Sequence, residues 1–125
     1  MKNSNAKNDA ERFQLQADFV QAIAHPIRLA VVDVLRDGEV CVCEIAGLVG
    51  AERSNVSRHL AVMLRAGILK TRKEGLNVYY SLRTPCVLEF LSCAAQAVGQ
   101  CLAEDVQTLE QINQSASQCA IGGRQ

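Results

Sequence analysis

The stretch from Glu52 to Gly67, ERSNVSRHLAVMLRAG, constrains the chain most strongly. Val56, Leu60, Met63, Leu64 and Ile68 recur at the spacing of one helical face, so that side is expected to pack inward. The opposite side presents Asn55, Ser57, Arg58 and Arg65, with Arg53 and Ser54 at the entry. These are donors of the lengths that reach base edges and phosphates. An ordinary amphipathic helix with a solvated basic face would carry the same pattern, so the flanking segments decide.

Upstream, Glu39 to Val49, EVCVCEIAGLV, opens extended and turns into a short helix with Ile45, Leu48 and Val49 facing the core. Gly50 and a brief turn follow. Two short helices joined in this way make a helix-turn-helix, the first bracing and the second reading DNA. Downstream, Gly67 suits a helix C-cap. Ile68 to Leu82, ILKTRKEGLNVYYSL, reads as two strands around a turn at Glu74 to Asn77, with Arg72 and Lys73 toward the tip. A basic hairpin directly after a reading helix is a wing that grips phosphates.

The remaining segments are helical. From Asp9 to about Ala24, Phe13, Ala17, Val20 and Ala24 form a stripe that Phe19 and Ile23 widen. His25-Pro26 ends that helix and opens a second, to about Arg36, expected to bury Leu29, Val32, Val34 and Leu35. Thr84 at N-cap and Pro85 at N1 announce a last helix reaching about Asn113. Its apolar stripe, from Val87 to Ile112, is too long for the small body before it to cover. With the first helix it is expected to form a dimer interface. The expected class is therefore mainly α with a β-hairpin wing, a winged helix-turn-helix dimerising through its first and last helices. Residues 1–8 are expected to be a disordered tail, 9–113 the DNA-binding and dimerisation domain, and 114–125 a flexible tail.

Charge is distributed unevenly. Thirteen Lys and Arg balance thirteen Asp and Glu, which argues against a generic basic coat for nucleic acid. Between Arg53 and Arg83, however, seven bases face the single acid Glu74, so one region is basic and the rest acidic. No signal-peptide core and no apolar run of about 18 residues is visible, so a cytoplasmic chain without membrane contact is expected. In that compartment six cysteines stay reduced and suggest metal binding or redox sensing. Two histidines, no paired catalytic carboxylates and no phosphate loop point away from an enzyme.

AHPIRLAVVDVLRDGEVCVCEIAGLVG, followed by SNVSRHLAVMLRAGILKTRKEGLNVYYSL, resembles the ArsR/SmtB family of winged-helix, metal-responsive transcriptional repressors over roughly residues 13 to 105. The resemblance implies a homodimer that binds an inverted-repeat operator and leaves it when an inducer binds. It implies DNA-reading roles for Ser54, Asn55, Ser57, Arg58 and His59, and wing positions for Lys73 and Asn77. EVCVCEI looks like the thiol site of the arsenic- and cadmium/lead-sensing members.

The residues support a thiol site independently. In an extended segment, side chains at i and i+2 share a face, so Cys41 and Cys43 can address one ion. On a regular helix they would point about 200° apart. A neighbouring helix N-terminus is expected to lower thiol pKa. The arsenic sensors with this motif often carry a third cysteine where this chain has Ala46, and the cadmium sensors recruit cysteines from an N-terminal arm, whereas this chain has no cysteine before Cys41. A third ligand is left open among Cys86, Cys93, Cys101 and Cys119. The family's zinc site has Thr84, Cys86, Ala97 and Gln100 in place of its ligands, which argues against a zinc or cobalt sensor. Soft thiolates suit As(III) or Sb(III) as inducer, and a fourth sulfur would suit Cd(II) or Pb(II). Two alternatives stand beside this reading. One is a redox or reactive-sulfur sensor of the same fold; the other is a thiol metal carrier that binds no DNA.

Overall fold

The computed structural model describes the backbone of residues 2–123 and the side chains of residues 6–115. Its elements run α1 (Lys2–Gln21), α2 (Pro26–Val34), β1 (Val40–Cys41), α3 (Val42–Val49), α4 (Arg53–Arg65), β2 (Leu69–Glu74), β3 (Asn77–Leu82) and α5 (Val87–Gly123). The chain divides into two compact units, Met1–Leu88 and Glu89–Gln125. Among the described residues, no helix is long and apolar enough to cross a membrane.

In the first unit, helices α2, α3 and α4 enclose a core of Val31, Val32, Leu35, Ile45, Ala46, Val56, Leu60 and Met63. Ile68, Leu69, Leu82 and Val87 close it from the sheet side. The stripe anticipated on α4 is buried except for Leu64, which is 37% exposed at its margin. Leu29 and Leu48 were expected inside and are exposed. The inward face of α2 is set by Val31, Val32 and Leu35, which leaves Leu29 on the far side. On α3 the inward face is centred between Ile45 and Ala46, so Leu48 falls outside it and Val49 is half-buried.

Helix starts and stops follow local chemistry. Pro26 is at N1 of α2, and the His25 Nδ1 accepts the Ile27 amide at 3.1 Å. Gly67, with φ +83°, ends α4 in the left-handed conformation that glycine adopts freely. The Ile68 amide then reaches the Met63 carbonyl and the Gly67 amide the Leu64 carbonyl, the hydrogen-bond pair of a Schellman cap.

Three boundaries differ from the sequence expectation. Residues 2–8 were expected to be a tail, yet α1 is helical from Lys2. No glycine or proline interrupts Lys2–Gln21, so nothing in that segment stops a helix from propagating. The last helix begins at Val87, not Pro85: the Val87 amide bonds to the Thr84 carbonyl and the Leu88 amide to the Pro85 carbonyl, tighter turns that precede the helix, and the Thr84 hydroxyl donates to the Gly67 carbonyl at 3.0 Å. That helix continues to Gly123, past the expected end near Asn113, through a segment free of proline.

The sheet holds three antiparallel strands in the order β1-β3-β2, one more than the hairpin read from sequence. In the hairpin, Leu69 pairs with Leu82 and Glu74 with Asn77, so the turn falls where expected. The short β1 lies on its other side, pairing Val40 with Tyr80 and Cys41 with Tyr79.

Candidate functional site

Helix α4 carries its polar residues outward. Arg53, Ser54, Ser57, Arg58 and Arg65 are exposed, and Asn55 is half-buried. Gly50, with φ +70°, turns the chain sharply out of α3, and the Ala51 amide bonds back to the Ala46 carbonyl at 3.1 Å. Glu52 occupies the N-cap of α4 without a side-chain capping bond, its carboxylate accepting instead from Ser54 Oγ at 3.2 Å. The first amides of α4 therefore keep their donor capacity, which suits an incoming phosphate.

His59, expected to read DNA, is half-buried beside α2. Its ring lies 4.1 Å from that of His25, centroid to centroid, and its Nδ1 accepts Arg28 Nε at 3.0 Å. The imidazole thus links α4 to the start of α2. Helical spacing explains this, because position 59 lies beside the buried Leu60 and Val56. Burial, then the nearby His25, Arg28 and Arg58, hold the His59 pKa below its ordinary value. The unfolded chain then binds a proton that the folded chain resists, so stability is complete above the ordinary value near 6.5 and is lost as pH falls below it. Denaturation midpoints taken at about pH 7.5 and about pH 5.5 should show that loss, and His59→Gln should flatten it. An identical drop in the variant would assign the effect to other groups.

In the wing, Lys73 and Asn77 are exposed near the tip. Arg72 was expected beside them as a phosphate grip. Its guanidinium is instead engaged by Glu39 at 2.6 and 3.1 Å and by Glu74 at 2.9 Å, and it lies 4.9 Å from the centre of the Tyr79 ring. These partners raise the Arg72 pKa and lower that of Glu39. The cross-strand register explains the contact: Arg72 pairs with Tyr79, which pairs in turn with Cys41 next to β1's approach from Glu39.

Cys41 and Cys43 lie at the junction of strand and helix. Cys41 is extended, pairs with Tyr79 and serves as the N-cap residue of α3; Cys43 is already in the first helical turn. The expectation that both share an extended face is therefore corrected. The two cysteines flank one junction, since Cys41 leaves the strand as the N-cap and Cys43 enters the first helical turn. Hydrogen bonding with the Cys41 thiol pushes the Cys43 thiol pKa up, against the expected lowering; burial and the charges of Cys41 and Glu44 act the same way. Only the backbone amide opposes them. A second negative charge beside the first is disfavoured until a cation joins them.

Among the described residues, no three of His, Cys, Asp and Glu cluster as a metal site. Cys86 is exposed after β3, Cys93 and Cys101 are exposed on α5, and the Cys119 side chain lies outside the described residues.

A groove of about 280 Å³ runs between α3 and α4. Val42, Cys43 and Ala46 form one wall, and Arg53, Val56, Ser57 and Leu60 the other. Sequence patterning marked each of these residues separately as core, thiol or DNA face. That they share one cavity depends on how closely the two helices approach, which no local pattern encodes.

A buried-stripe helix with a polar outer face, a bracing helix before it and a basic hairpin after it define a winged helix-turn-helix DNA-binding protein. Residues 25–71 match the family described as bacterial regulatory protein, arsR family. The HTH-type transcriptional regulator Rv0081 of Mycobacterium tuberculosis is 32% identical over 106 residues, 84% of this chain and 93% of its own. Its crystal structure superposes with a TM-score of 0.67 at 33% identity, covering 75% of this chain and 95% of that one. The solution structure of the homodimeric winged helix-turn-helix domain Mb0332 from Mycobacterium bovis gives 0.66 at 26% identity, covering 75% and 87%. The arsenical resistance operon repressor of Escherichia coli K12 is 31% identical over 98 residues, 78% of this chain and 83% of its own. The chain belongs to the arsR family of bacterial regulatory proteins, and it is a DNA-binding transcriptional regulator, not an enzyme. That membership sets aside the DNA-free thiol carrier.

Proposed function

We propose that this regulator is a homodimeric repressor released from its operator by a thiophilic metalloid, As(III) or Sb(III), bound at Cys41 and Cys43. The observation that carries the reading is the placement of these two cysteines on either side of the junction where β1 passes into α3. Two soft donors at that junction fit a soft ion. Drawing them together acts on two elements at once, because the Cys41 backbone is paired to wing strand β3 while Cys43 belongs to the helix that braces α4. The Escherichia coli arsenical repressor, as a relative over most of its length, supports this class of inducer.

On the operator, Arg53, Ser54, Asn55, Ser57 and Arg58 would contact bases and phosphates, with Lys73 and Asn77 holding the flank. Dimerisation is supported by apolar side chains left exposed on single helices: Phe13, Leu15 and Val20 on α1, and Val98, Leu102, Val106 and Leu109 on α5. Two-fold symmetry would set the paired α4 helices about 34 Å apart, one turn of DNA, on an inverted repeat.

The direct test measures anisotropy of labelled DNA from upstream of the gene, titrated with reduced protein and then with arsenite, antimonite, Cd(II) or Pb(II). Arsenite or antimonite should release the DNA; no release by either ends the proposal. At matched salt, Arg58→Ala should weaken binding by about 1–3 kcal/mol, roughly 5- to 150-fold. Unchanged affinity would remove Arg58 from the reading face.

A further inference from the structure

We infer that Leu76, at the tip of the wing, lies in the minor groove beside the segment read by α4 and selects A·T over G·C base pairs there by apolar contact with the groove floor. The inference rests on the operator-binding reading, not on the thiol site, and adds a specificity-determining residue to it. Three observations carry it: the exposure of Leu76, the turn that presents it and the engagement of Arg72 elsewhere.

Leu76 is the most exposed large apolar side chain among the described residues. It gains nothing there from leaving water, and turn positions ordinarily favour glycine or short polar residues. The backbone fixes where it stands. Glu74 pairs with Asn77, which leaves Gly75 and Leu76 as a two-residue turn. Gly75 has φ +63° and Leu76 is outside the positive-φ region, the arrangement of a type II′ hairpin. Leu76 thus tops a hydrogen-bonded ladder. From the buried Leu69 and Leu82 at its base, the hairpin extends five residue steps to the pair of Glu74 and Asn77. At about 3.4 Å per step this is about 17 Å. A major groove and the next minor groove are about half of a 34 Å turn apart, so the tip has the reach.

The tip does not approach DNA as a cation. The Arg72 guanidinium is held by the carboxylates of Glu39 and Glu74, two negative charges against its one. Lys73 and Asn77 stay exposed beside the turn to meet phosphates. What the tip itself offers is a branched hydrocarbon, the kind of side chain that proteins place in minor grooves. On that floor A·T and T·A present acceptors alone, whereas G·C adds the guanine N2 amino group. The amino group stands up into the space a leucine would fill, and leucine gives it no acceptor. A·T pairs leave that space open.

The test selects duplexes with full-length protein from a library built on DNA from upstream of the gene, with the bases flanking the α4 footprint randomised. Wild-type protein should enrich A·T at discrete positions about half a turn from that footprint. Fixed duplexes carrying G·C there should bind about tenfold more weakly. Inosine·cytosine pairs, which lack only the N2 amino group, should restore the affinity. Leu76→Ala should bind A·T and G·C flanks within about twofold of each other, with the urea midpoint unchanged because the side chain packs against nothing. An A·T preference that persists in Leu76→Ala, or that inosine fails to restore, overturns the inference. Operator binding without any flank preference removes the role of Leu76 and leaves the operator reading standing. Failure of the wild-type protein to retain any duplex removes both.

Discussion

Cys41→Ser and Cys43→Ser should each bind operator as the unchanged protein does and fail to leave it when arsenite is added. Serine keeps the size of the side chain, and the pairing of Cys41 with Tyr79 runs through the backbone, so the fold of the junction survives. What is lost is the soft donor. A coupling of about 3 kcal/mol between inducer and operator corresponds to roughly 150-fold weaker DNA binding in the loaded protein. Removing either thiol should abolish that factor, leaving one titration curve with or without arsenite. A serine variant that still releases at the wild-type arsenite concentration would move the sensing site away from this junction.

The second large effect concerns stability. Met63 is fully buried on the inner face of α4, beneath the outward-facing arginines. Truncation by Met63→Ala should cost about 2–5 kcal/mol, the transfer loss plus the cavity left behind. That is a large share of what a domain of this size has to lose. Urea denaturation should show the midpoint falling with little change in slope. A loss below about 1 kcal/mol would mean that the helix is not anchored through this face. At Leu64, on the exposed margin, truncation should cost much less.

These three side chains were legible in the sequence, for two different reasons. Met63 was assigned inward because helical period alone fixes which side chains share a face, and its neighbours Val56 and Leu60 agreed. Cys41 and Cys43 stood out because two thiols two residues apart are chemically conspicuous. The reason given for pairing them was incomplete, however. An extended run was invoked, whereas the chain changes from strand to helix between them. The partner that fixes this change is Tyr79, nearly forty positions away in the chain.

Three side chains whose partners differ from the sequence expectation share one cause. His59 carries the donors of a DNA-reading residue, and only the packing of α4 on α2 turns it toward His25 and Arg28. Arg72 has the right charge and position for a phosphate grip, yet Glu39 reaches it across the sheet. Thr84 and Pro85 form a strong local helix-start signal, but the backbone makes two tighter turns there and the helix starts at Val87, with the Thr84 hydroxyl tied to Gly67. In each case a polar side chain makes a hydrogen bond with a residue remote in sequence.

The sequence by itself determined what depends on neighbours within a turn or a hairpin. These are the inner stripe and outer polar face of α4, the glycine that ends it, the register of the wing and the presence of a thiol pair. Only the tertiary structure decided which polar groups are already spent, that β1 joins the thiols to the wing, and that a cavity opens between brace and reader beside Cys43. Those outcomes follow from distances between separate elements, set by how their side chains interlock in the core, and no short-range pattern of residues contains that information.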